Sequence, residues 1–187
     1  GETLWVSGMP YNEKPGGVTL WQGLDAKTEY YEPQMITAFD NDAVRSIKVD
    51  RSNGSVWFGT QGGVTRYDPD RDSWVTYTSG DRLISNQVND VEVDSDAIYV
   101  ATQEGVSKVV KSTVGTDSVR ILHVALESLN LREVYDLALA DSILWMGTEY
   151  GVYRYNTVRD SGFYFVADDG EFTKEVFAID VVEDQVW

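Results

Sequence analysis

Two aspartates occupy corresponding positions in a repeated apolar pattern, and paired carboxylates are well suited to general acid–base chemistry. Asp90 and Asp136 lie two residues after Val88 and Val134, at the start of two runs in which apolar residues alternate. A hydrolase or lyase acting on polysaccharides could use such a pair if the two carboxyl groups were held at a suitable separation. His123 is the single histidine and there is no cysteine, so multi-histidine metal sites and thiol catalysis are excluded.

A second group of carboxylates is close together in the sequence. Asp68, Asp70 and Asp72 alternate in the segment Asp-Pro-Asp-Arg-Asp. Alternating carboxylates are typical of calcium loops, but the glycine at the sixth place and the distal glutamate of that pattern are missing from this sequence. Aspartates also stabilise hairpin turns by accepting hydrogen bonds from the backbone two residues on. We therefore prefer the turn interpretation, keep calcium as a weak alternative, and expect no other metal and no cofactor.

The charge balance argues against several classes of partner. The chain of 187 residues carries 31 acidic and 15 basic side chains, which gives a formal net charge of -16. Such a charge repels the phosphate backbone of nucleic acids and the surface of anionic membranes. No apolar stretch approaches the roughly 18 residues that a membrane-spanning helix needs. We therefore expect no nucleic-acid ligand and no insertion of this segment into a membrane.

The chain is organised as a repeat. An aromatic residue, an apolar residue, a small residue and Thr are followed, after two variable residues, by Gly-Val. The three best copies occupy residues 57–64, 99–106 and 145–152. A diverged copy near the beginning and a tryptophan at the last position complete the series. The five marker aromatics are Trp5, Trp57, Tyr99, Trp145 and Trp187.

The marker aromatics are 52, 42, 46 and 42 residues apart, a spacing typical of a propeller blade or a helical pair. Short runs rich in Val, Ile, Tyr, Trp and Thr, separated by Gly, Asp and Asn, favour strands. Each period accommodates the four short strands of a propeller blade. The marker aromatics lie in the second strands, and Gly-Val begins the third. The innermost strands are predicted at 44–49, 88–93, 134–139 and 176–181, and the outermost at 28–31, 74–78, 119–124 and 163–166.

The predicted fold is an all-β propeller built from four-stranded antiparallel blades. Because a blade has two apolar faces, neighbouring blades are expected to stack, with the marker aromatics between them. The recurrent Gly is interpreted as a tight-turn residue. About four blade repeats occupy residues 1–187 as a single segment, which we expect to belong to a larger propeller, with a self-contained ring of four blades as the alternative. Open blade edges at the ends of the series would favour self-association.

These motifs resemble the two-component regulator propeller repeat, whose pattern is Val-x-x-Ile-x-x-Asp, a turn, Leu-Trp-Ile-Gly-Thr, Gly-Leu and Arg-Tyr/Phe-Asp. The best copy here has Val44, Ile47 and Asp50, then Val-Trp-Phe-Gly-Thr, Gly-Val and Arg-Tyr-Asp over 56–68. The copy that begins at Leu144 matches almost as well. In the copy at 99–106, Ala101 replaces the glycine. Taken together, the resemblance covers nearly the whole chain.

The resemblance implies a setting and a role. It implies an extracytoplasmic propeller of a bacterial sensor or surface protein, located in the periplasm or at the cell surface. It also implies ligand sensing or scaffolding as the function. No catalytic residue and no cofactor are carried over, because the family motif is structural.

Candidate ligand-binding residues come from the loops at one end of the blades, because loops on a rigid scaffold commonly bind ligands. The hairpins between second and third strands and the loops leading into the innermost strands are expected to share this end. Aromatic, amide and charged groups at one level could bind a ligand by stacking and hydrogen bonding. The candidates are Tyr11, Arg45, Asn89, Glu104, Tyr135, Tyr150 and Phe177.

Three functions remain open at this point. The leading hypothesis is a non-enzymatic sensor or interaction segment that recognises an oligosaccharide, a peptide or a protein partner at one rim. The second is a polysaccharide-active hydrolase or lyase that uses Asp90 and Asp136. The third is a structural array that spaces other domains.

Overall fold

The computed structural model describes residues 3–8, 17–22, 28–31, 44–114, 119–124, 133–165, 175–182 and 185–187. These residues form three sheets of four strands, one sheet of three strands and one of two. Every pairing within the sheets is antiparallel and joins strands that follow one another along the chain. The three-stranded sheet, here the first blade, contains β1 (Thr3–Gly8), β2 (Gly17–Gln22) and β3 (Thr28–Tyr31).

The four-stranded sheets repeat one plan, with their first strands lying next to one another at the inner edge. The second blade contains β4 (Val44–Val49), β5 (Val56–Thr60), β6 (Gly63–Asp68) and β7 (Ser73–Tyr77). The third blade contains β8 (Val88–Val93), β9 (Ala97–Thr102), β10 (Gly105–Val110) and β11 (Ile121–His123). The fourth blade contains β12 (Val134–Ala140), β13 (Ile143–Thr148), β14 (Gly151–Asn156) and β15 (Ser161–Phe165). The predicted all-β fold of four-stranded antiparallel blades is confirmed.

Helical structure is confined, in the described part of the chain, to short 3₁₀ turns at Ser79–Asp81 and Lys111–Thr113. No helix among the described residues is long and apolar enough to cross a membrane.

Each second strand ends in a threonine that closes the hairpin to the third strand. Its hydroxyl donates to the carbonyl oxygen of a glycine three residues later, at 2.9 Å in all three copies. The same oxygen accepts the backbone N–H two residues on. The glycines have φ of +131°, +130° and +114°, so the tight-turn interpretation is confirmed for them. The pairs are Thr60 with Gly63, Thr102 with Gly105 and Thr148 with Gly151.

The small residue before each threonine lies where one blade closely approaches the next. A Cβ atom on Gly59 would lie 2.8 Å from Cγ1 of Val88, in the innermost strand of the following blade. A Cβ atom on Gly147 would lie 2.5 Å from the carbonyl oxygen of Val176. The third blade carries Ala101 at this position, where it is fully buried. The absence of a side chain at the two glycines therefore permits the observed spacing between blades.

The marker aromatics of the second and third blades fill the space between sheets, as predicted. Trp57 belongs to a buried cluster with Val91 and Val100 of the third blade. Tyr99 belongs to a second cluster with Leu144 of the fourth blade. Both rings are almost inaccessible to solvent, so they contribute directly to holding neighbouring blades together.

The other marker aromatics differ in how far they are covered. Trp5 makes edge-to-face contacts with Phe58 and Tyr67 of the second blade, at centroid distances of 5.5 and 5.4 Å. The prediction is only partly correct for Trp145, which is half-buried, whereas Trp187 is exposed and its packing in a further repeat stays a prediction. After the fourth blade, the described strands are only β16 (Val181–Val182) and β17 (Gln185–Val186), which offer little sheet to cover these two rings.

The innermost strand predicted at 176–181 is only partly formed. Strand pairing is confined to Val181 with Val186 and Val182 with Gln185. The rest of the segment is held by single backbone bonds, such as the N–H of Val176 to the carbonyl oxygen of Thr148 at 3.0 Å. Among the described residues its antiparallel partner is β17, of two residues, whereas β4, β8 and β12 pair with strands of five or six.

We predict that the substitution Gly59→Ala lowers the free energy of unfolding by about 1–3 kcal/mol, because the new methyl group would overpack against Val88. Gly8→Ala is the matched control, since a Cβ atom there would meet nothing within 4 Å. Urea unfolding followed by circular dichroism measures both effects. Equal stability of the two variants would show that the gap between the second and third blades is not a packing requirement.

Candidate functional site

The two kinds of loop chosen from the sequence lie at the same end of the blades. The side-chain Nε2 of Gln87, just before β8, donates to the carbonyl oxygen of Gln61 in the preceding blade at 3.0 Å. The backbone N–H of Gln103 donates to the carbonyl oxygen of Gln87 at 3.3 Å, and that of Glu149 donates to Glu133 at the same distance. We call this end, formed by 61–62, 103–104, 149–150 and the starts of the innermost strands, the hairpin rim.

Four of the candidates form a row across the hairpin rim, which we call the inner row: Arg45, Asn89, Tyr135 and Phe177. Arg45 Nη1 donates to Asn89 Oδ1 at 2.6 Å. Asn89 Nδ2 donates to the carbonyl oxygen of Val134, next to Tyr135, at 2.9 Å. The rings of Tyr135 and Phe177 are in contact, with centroids 4.6 Å apart. Residues that are more than 40 positions apart in sequence are thus joined from blade to blade.

The aromatic half of the inner row lies among carboxylates. The Tyr135 hydroxyl donates to Glu175 Oε1 at 3.4 Å, and the Phe177 ring is exposed. Desolvation, together with the negative charges of Glu133 and Glu175, raises the pKa of the Tyr135 hydroxyl. The pair therefore offers apolar ring surface beside hydrogen-bond acceptors, an arrangement suited to a ligand with both apolar and hydroxyl or amide groups.

The remaining rim candidates lie beside this row. Glu104 and Tyr150 occupy equivalent second places in their two-residue hairpins, and both are exposed. Their backbone N–H groups bind the hairpin threonines, Thr102 and Thr148, which fixes where each side chain starts. Tyr11 lies outside the described residues.

A polar side chain at the same position in each innermost strand binds the backbone of the following blade. Each of β4, β8 and β12 shows an irregularity in strand register, of the kind a β-bulge produces, just before this position. The three bonds join Val91 N to Ser46 Oγ at 3.2 Å, Leu137 N to Asp90 Oδ2 at 3.0 Å and Ile179 N to Asp136 Oδ2 at 2.8 Å.

The two candidate catalytic carboxylates, Asp90 and Asp136, therefore have a structural role. Each uses one oxygen to accept a backbone N–H of the following segment, that of Leu137 or of Ile179, and so satisfies a backbone donor. The structure brings both side chains to one recess of about 270 Å³ on the channel side of the innermost strands. A shared recess is needed for a carboxylate pair to act together, but the bridging bonds explain the two residues without catalysis.

The same recess contains a charge pair that was not among the candidates from the sequence. Lys48 Nζ lies 2.5 Å from Glu92 Oε1, one strand away, and Asp180 also lines the recess. Burial alone would lower the pKa of Lys48, but the hydrogen bond to Glu92 and the charge of Asp90 raise it overall. Lys48 and Glu92 occupy equivalent positions in β4 and β8, so the repeat register was the signal that could have identified them.

Burial raises the pKa of the Asp90 carboxyl to about 7, from an ordinary value of 3.8. The charge of Asp136 contributes to this rise, whereas hydrogen bonds from Ser46 and from the backbone of Val91 oppose it. The pair thus has one carboxyl that binds a proton near neutral pH, as expected when two carboxylates share a confined site.

The alternating aspartates at 68–72 form a hairpin turn. Asp68 Oδ2 accepts from Arg66 Nη2 at 2.8 Å, and Asp68 Oδ1 accepts the backbone N–H of Asp70 at 3.1 Å. Tyr67 donates its hydroxyl to Asp72 Oδ1 at 3.1 Å. Among the residues with described positions, no group of three or more His, Cys, Asp or Glu is arranged to hold a metal ion. The contacts support the turn interpretation, and the calcium alternative gains no support.

A further recess, of about 730 Å³, lies at the opposite end of the innermost strands. Its polar walls include Asp50, which is buried, and Lys111, which is partly buried; the two form an ion pair at 2.7 Å between blades. Although burial opposes it, hydrogen bonds from Lys111 and Ser52 lower the pKa of Asp50. Because these charges already satisfy each other, we regard this recess as structural and place the candidate site at the hairpin rim.

We predict that the stability of Asp90→Asn relative to the wild type rises by about 1–3 kcal/mol between pH 5 and pH 8. The folded chain holds the Asp90 proton up to about pH 7, whereas the unfolded chain loses it near 3.8, so stability from this group falls as pH rises between those values. Asparagine keeps an oxygen that accepts the N–H of Leu137 and carries no charge. The measurement is urea unfolding at several pH values.

The exposed acid Asp96 provides the control for this experiment, because Asp96→Asn removes a charge of the same type outside the recess. This variant is expected to keep the pH dependence of the wild type. Parallel stability curves for the wild type and Asp90→Asn between pH 5 and pH 8 would rule out a neutral-range titration at Asp90.

No protein-family model matches the chain, and no curated protein matches it. Solved structures do share its fold. The extracellular domain of a protein described as a hybrid two-component system, from B. thetaiotaomicron, is 17% identical with a TM-score of 0.63, over 81% of this chain and 22% of that one. The computationally designed Ika8 protein is 16% identical with a TM-score of 0.62, over 91% of this chain and 50% of that one.

A third similar structure is PorZ, a bacterial surface component of the type-IX secretion system of Porphyromonas gingivalis. It is 16% identical with a TM-score of 0.59, over 91% of this chain and 25% of that one. The chain thus spans between a fifth and a half of the length of these three structures. At these identities the likeness shows the fold alone, and it confirms the propeller architecture that the sequence repeat predicted.

Proposed function

We propose that this chain is a non-enzymatic, ligand-binding segment of an extracytoplasmic sensor propeller, and that it binds an oligosaccharide at the hairpin rim. The observation that carries the proposal is the inner row, in which Arg45, Asn89, Tyr135 and Phe177 are held at one level by contacts between blades. The extracellular domain of the B. thetaiotaomicron protein, with the same fold, supports the sensor role and the extracytoplasmic location.

The chemistry of the inner row favours a sugar among the ligand classes considered. The exposed ring of Phe177 beside Tyr135 can stack on the apolar face of a pyranose. The guanidinium of Arg45 has further N–H donors, and Glu175 offers an acceptor, for the sugar hydroxyl groups. With a net charge of -16, the chain favours neutral sugars over sulfated or uronic acid polymers.

The enzyme and scaffold alternatives have weaker support. In the enzyme alternative Asp90 and Asp136 would be catalytic, yet each already binds the backbone of the next blade. A pure scaffold would have no need for an exposed Phe177 ring paired with Tyr135 beside three carboxylates, those of Glu133, Glu149 and Glu175.

We predict that the double substitution Tyr135→Ala and Phe177→Ala weakens glycan binding by about tenfold or more, because stacking surface worth roughly 1.4 kcal/mol or more is lost. A panel of neutral glycans on an array, followed by isothermal titration calorimetry of each hit, provides the measurement. Tyr135→Phe keeps the ring and removes the bond to Glu175, so it should retain binding within about threefold.

The control is Val75→Ala with Leu122→Ala, which truncates two exposed apolar side chains on outermost strands and should leave affinity unchanged. Unchanged glycan affinity in the Tyr135 and Phe177 variant would rule out the inner row as the site. Binding of peptides but of no glycan on the array would overturn the sugar assignment and retain the rim as an interaction site.

A further inference from the structure

The residues that β4, β8 and β12 contribute to the inner row are the extra residues of strand irregularities. In β8, Val88 pairs with Thr102 and Asp90 with Ala101, which leaves Asn89, between them, without a partner in β9. The register shifts in the same way in β4 and β12. A bulge changes the direction of its extra side chain, so that direction depends on how the next residue is held. The extra residues are Arg45, Asn89 and Tyr135.

The residue after each extra residue belongs to a line of hydrogen bonds that crosses three blades. We call Ser46, Asp90 and Asp136 the polar line. The Ser46 hydroxyl donates to the Asp90 carboxyl, and a further side-chain hydrogen bond joins Asp90 to Asp136. Asp90 Oδ2 also accepts the backbone N–H of Leu137, the residue after Asp136, at 3.0 Å. A shift of either aspartate therefore displaces the part of the strand that carries the inner row.

The hydrogen bond between Asp90 and Asp136 requires a proton, because two ionised carboxylates have no donor. Burial is the main cause that raises the pKa of the Asp90 carboxyl to about 7, and the charge of Asp136 and the hydrogen bond to it raise this pKa further. Below about pH 7, Asp90 therefore donates its proton to Asp136. Above that pH, two negative charges lie close together in one recess.

The other charged groups of the recess do not compensate for the second negative charge. They come from the segments packed around it: Lys48 in β4, Glu92 in β8 and Asp180 in 175–182. Lys48 and Glu92 already neutralise each other at 2.5 Å, and Asp180 adds a negative charge. Loss of the proton thus leaves Asp90 and Asp136 to repel each other across the contact between β8 and β12.

The contact between β8 and β12 also forms the middle of the inner row. Asn89 Nδ2 donates to the carbonyl oxygen of Val134, the residue before Tyr135, at 2.9 Å. Asp90 and Asp136 are the next residues along the same two strands. Repulsion between the two aspartates therefore acts directly on the bond that sets the distance from Asn89 to Tyr135.

We propose that Asp90 and Asp136 are positioning residues for the inner row, and that the proton between them makes oligosaccharide binding at the hairpin rim responsive to pH. This inference rests on the proposed function, because it assigns a regulation to the same site. While the proton is in place, the two aspartates hold Asn89 and Tyr135 at the observed spacing. After its loss, β8 and β12 separate at the rim, and a neutral oligosaccharide binds more weakly.

The first experiment follows the chain without a ligand, by NMR of protein labelled with ¹³C and ¹⁵N, between pH 5 and pH 9. The carboxyl carbon of Asp90, the side-chain amide of Asn89 and the ring of Tyr135 are expected to shift together, with one midpoint near pH 7. In Asp90→Asn, which keeps an oxygen for the Leu137 N–H, the signals of Asn89 and Tyr135 should stay constant. A residue that only stabilises the fold would not impose its own titration on two side chains of the rim.

Three further variants identify the titrating group. Ser46→Ala removes a hydrogen bond that opposes the rise in the pKa of Asp90, so the common midpoint should move to higher pH. Asp96→Asn removes an exposed carboxylate, His123→Gln removes the single histidine, and both should keep the wild-type titration. The Tyr135 hydroxyl does not ionise in this range, because desolvation and neighbouring carboxylates raise its pKa above the ordinary value of 10.

The second experiment measures binding of the strongest neutral oligosaccharide from the glycan array, by isothermal titration calorimetry at pH 5.5 and pH 8.5. The wild type is expected to bind about fivefold or more weakly at the higher pH. Asp90→Asn is expected to bind with the same affinity at both, because it has no proton to lose at this position.

Several outcomes would overturn the proposal. Signals of Asn89 and Tyr135 that do not follow the Asp90 carboxyl would remove the positioning role, as would a titration that persists in Asp90→Asn. Equal affinity of the wild type at the two pH values would remove the control by pH and leave the rim as a binding site. Failure of every neutral glycan to bind would reject the proposed function and with it the regulation of binding. The NMR titration would then still show whether the polar line positions the inner row.

Discussion

The structure depends on how closely one blade packs against the next. Gly59 and Gly147 leave room for the innermost strand of the following blade, and Trp57 and Tyr99 fill the remaining space. The spacing brings a polar side chain of each innermost strand within hydrogen-bond distance of the next backbone. The rim depends on the same spacing, because Arg45 reaches Asn89 only when adjacent strands are this close. Stability and site geometry therefore have a common origin.

The fold was largely predictable because each blade repeats the same local signals. Alternating apolar residues predicted β4, β8 and β12, and the Thr-x-x-Gly spacing predicted the hairpins that Thr60 and Gly63 close. Prediction failed where a local pattern lacked a tertiary partner. The segment 176–181 has the right alternation, but among the described residues it pairs only with the two-residue β17. A segment with high β-strand propensity does not form a strand unless a neighbouring strand pairs with it through backbone hydrogen bonds.

The candidate site was predictable in position but not in its contacts. The repeat register placed Arg45, Asn89, Tyr135 and Phe177 at one level, and the structure joins them from blade to blade. The pairing of Lys48 with Glu92, and the binding of the Leu137 N–H by Asp90, depend on the offset between adjacent innermost strands. That offset follows from register shifts and packing between distant segments, which no single stretch of sequence specifies.

The hydrogen bonds between threonine and glycine that close the hairpins have a consequence for which residues of such chains can be substituted. Thr60, Thr102 and Thr148 fix each turn through their own hydroxyl groups and through backbone atoms of the residues that follow. The bonds that close each turn use only backbone atoms at 61–62, 103–104 and 149–150, so closing it does not depend on the side chains of these residues. The scaffold thus separates the hydrogen bonds that fix each turn from a few exchangeable surface positions, which is the arrangement a combinatorial library would exploit.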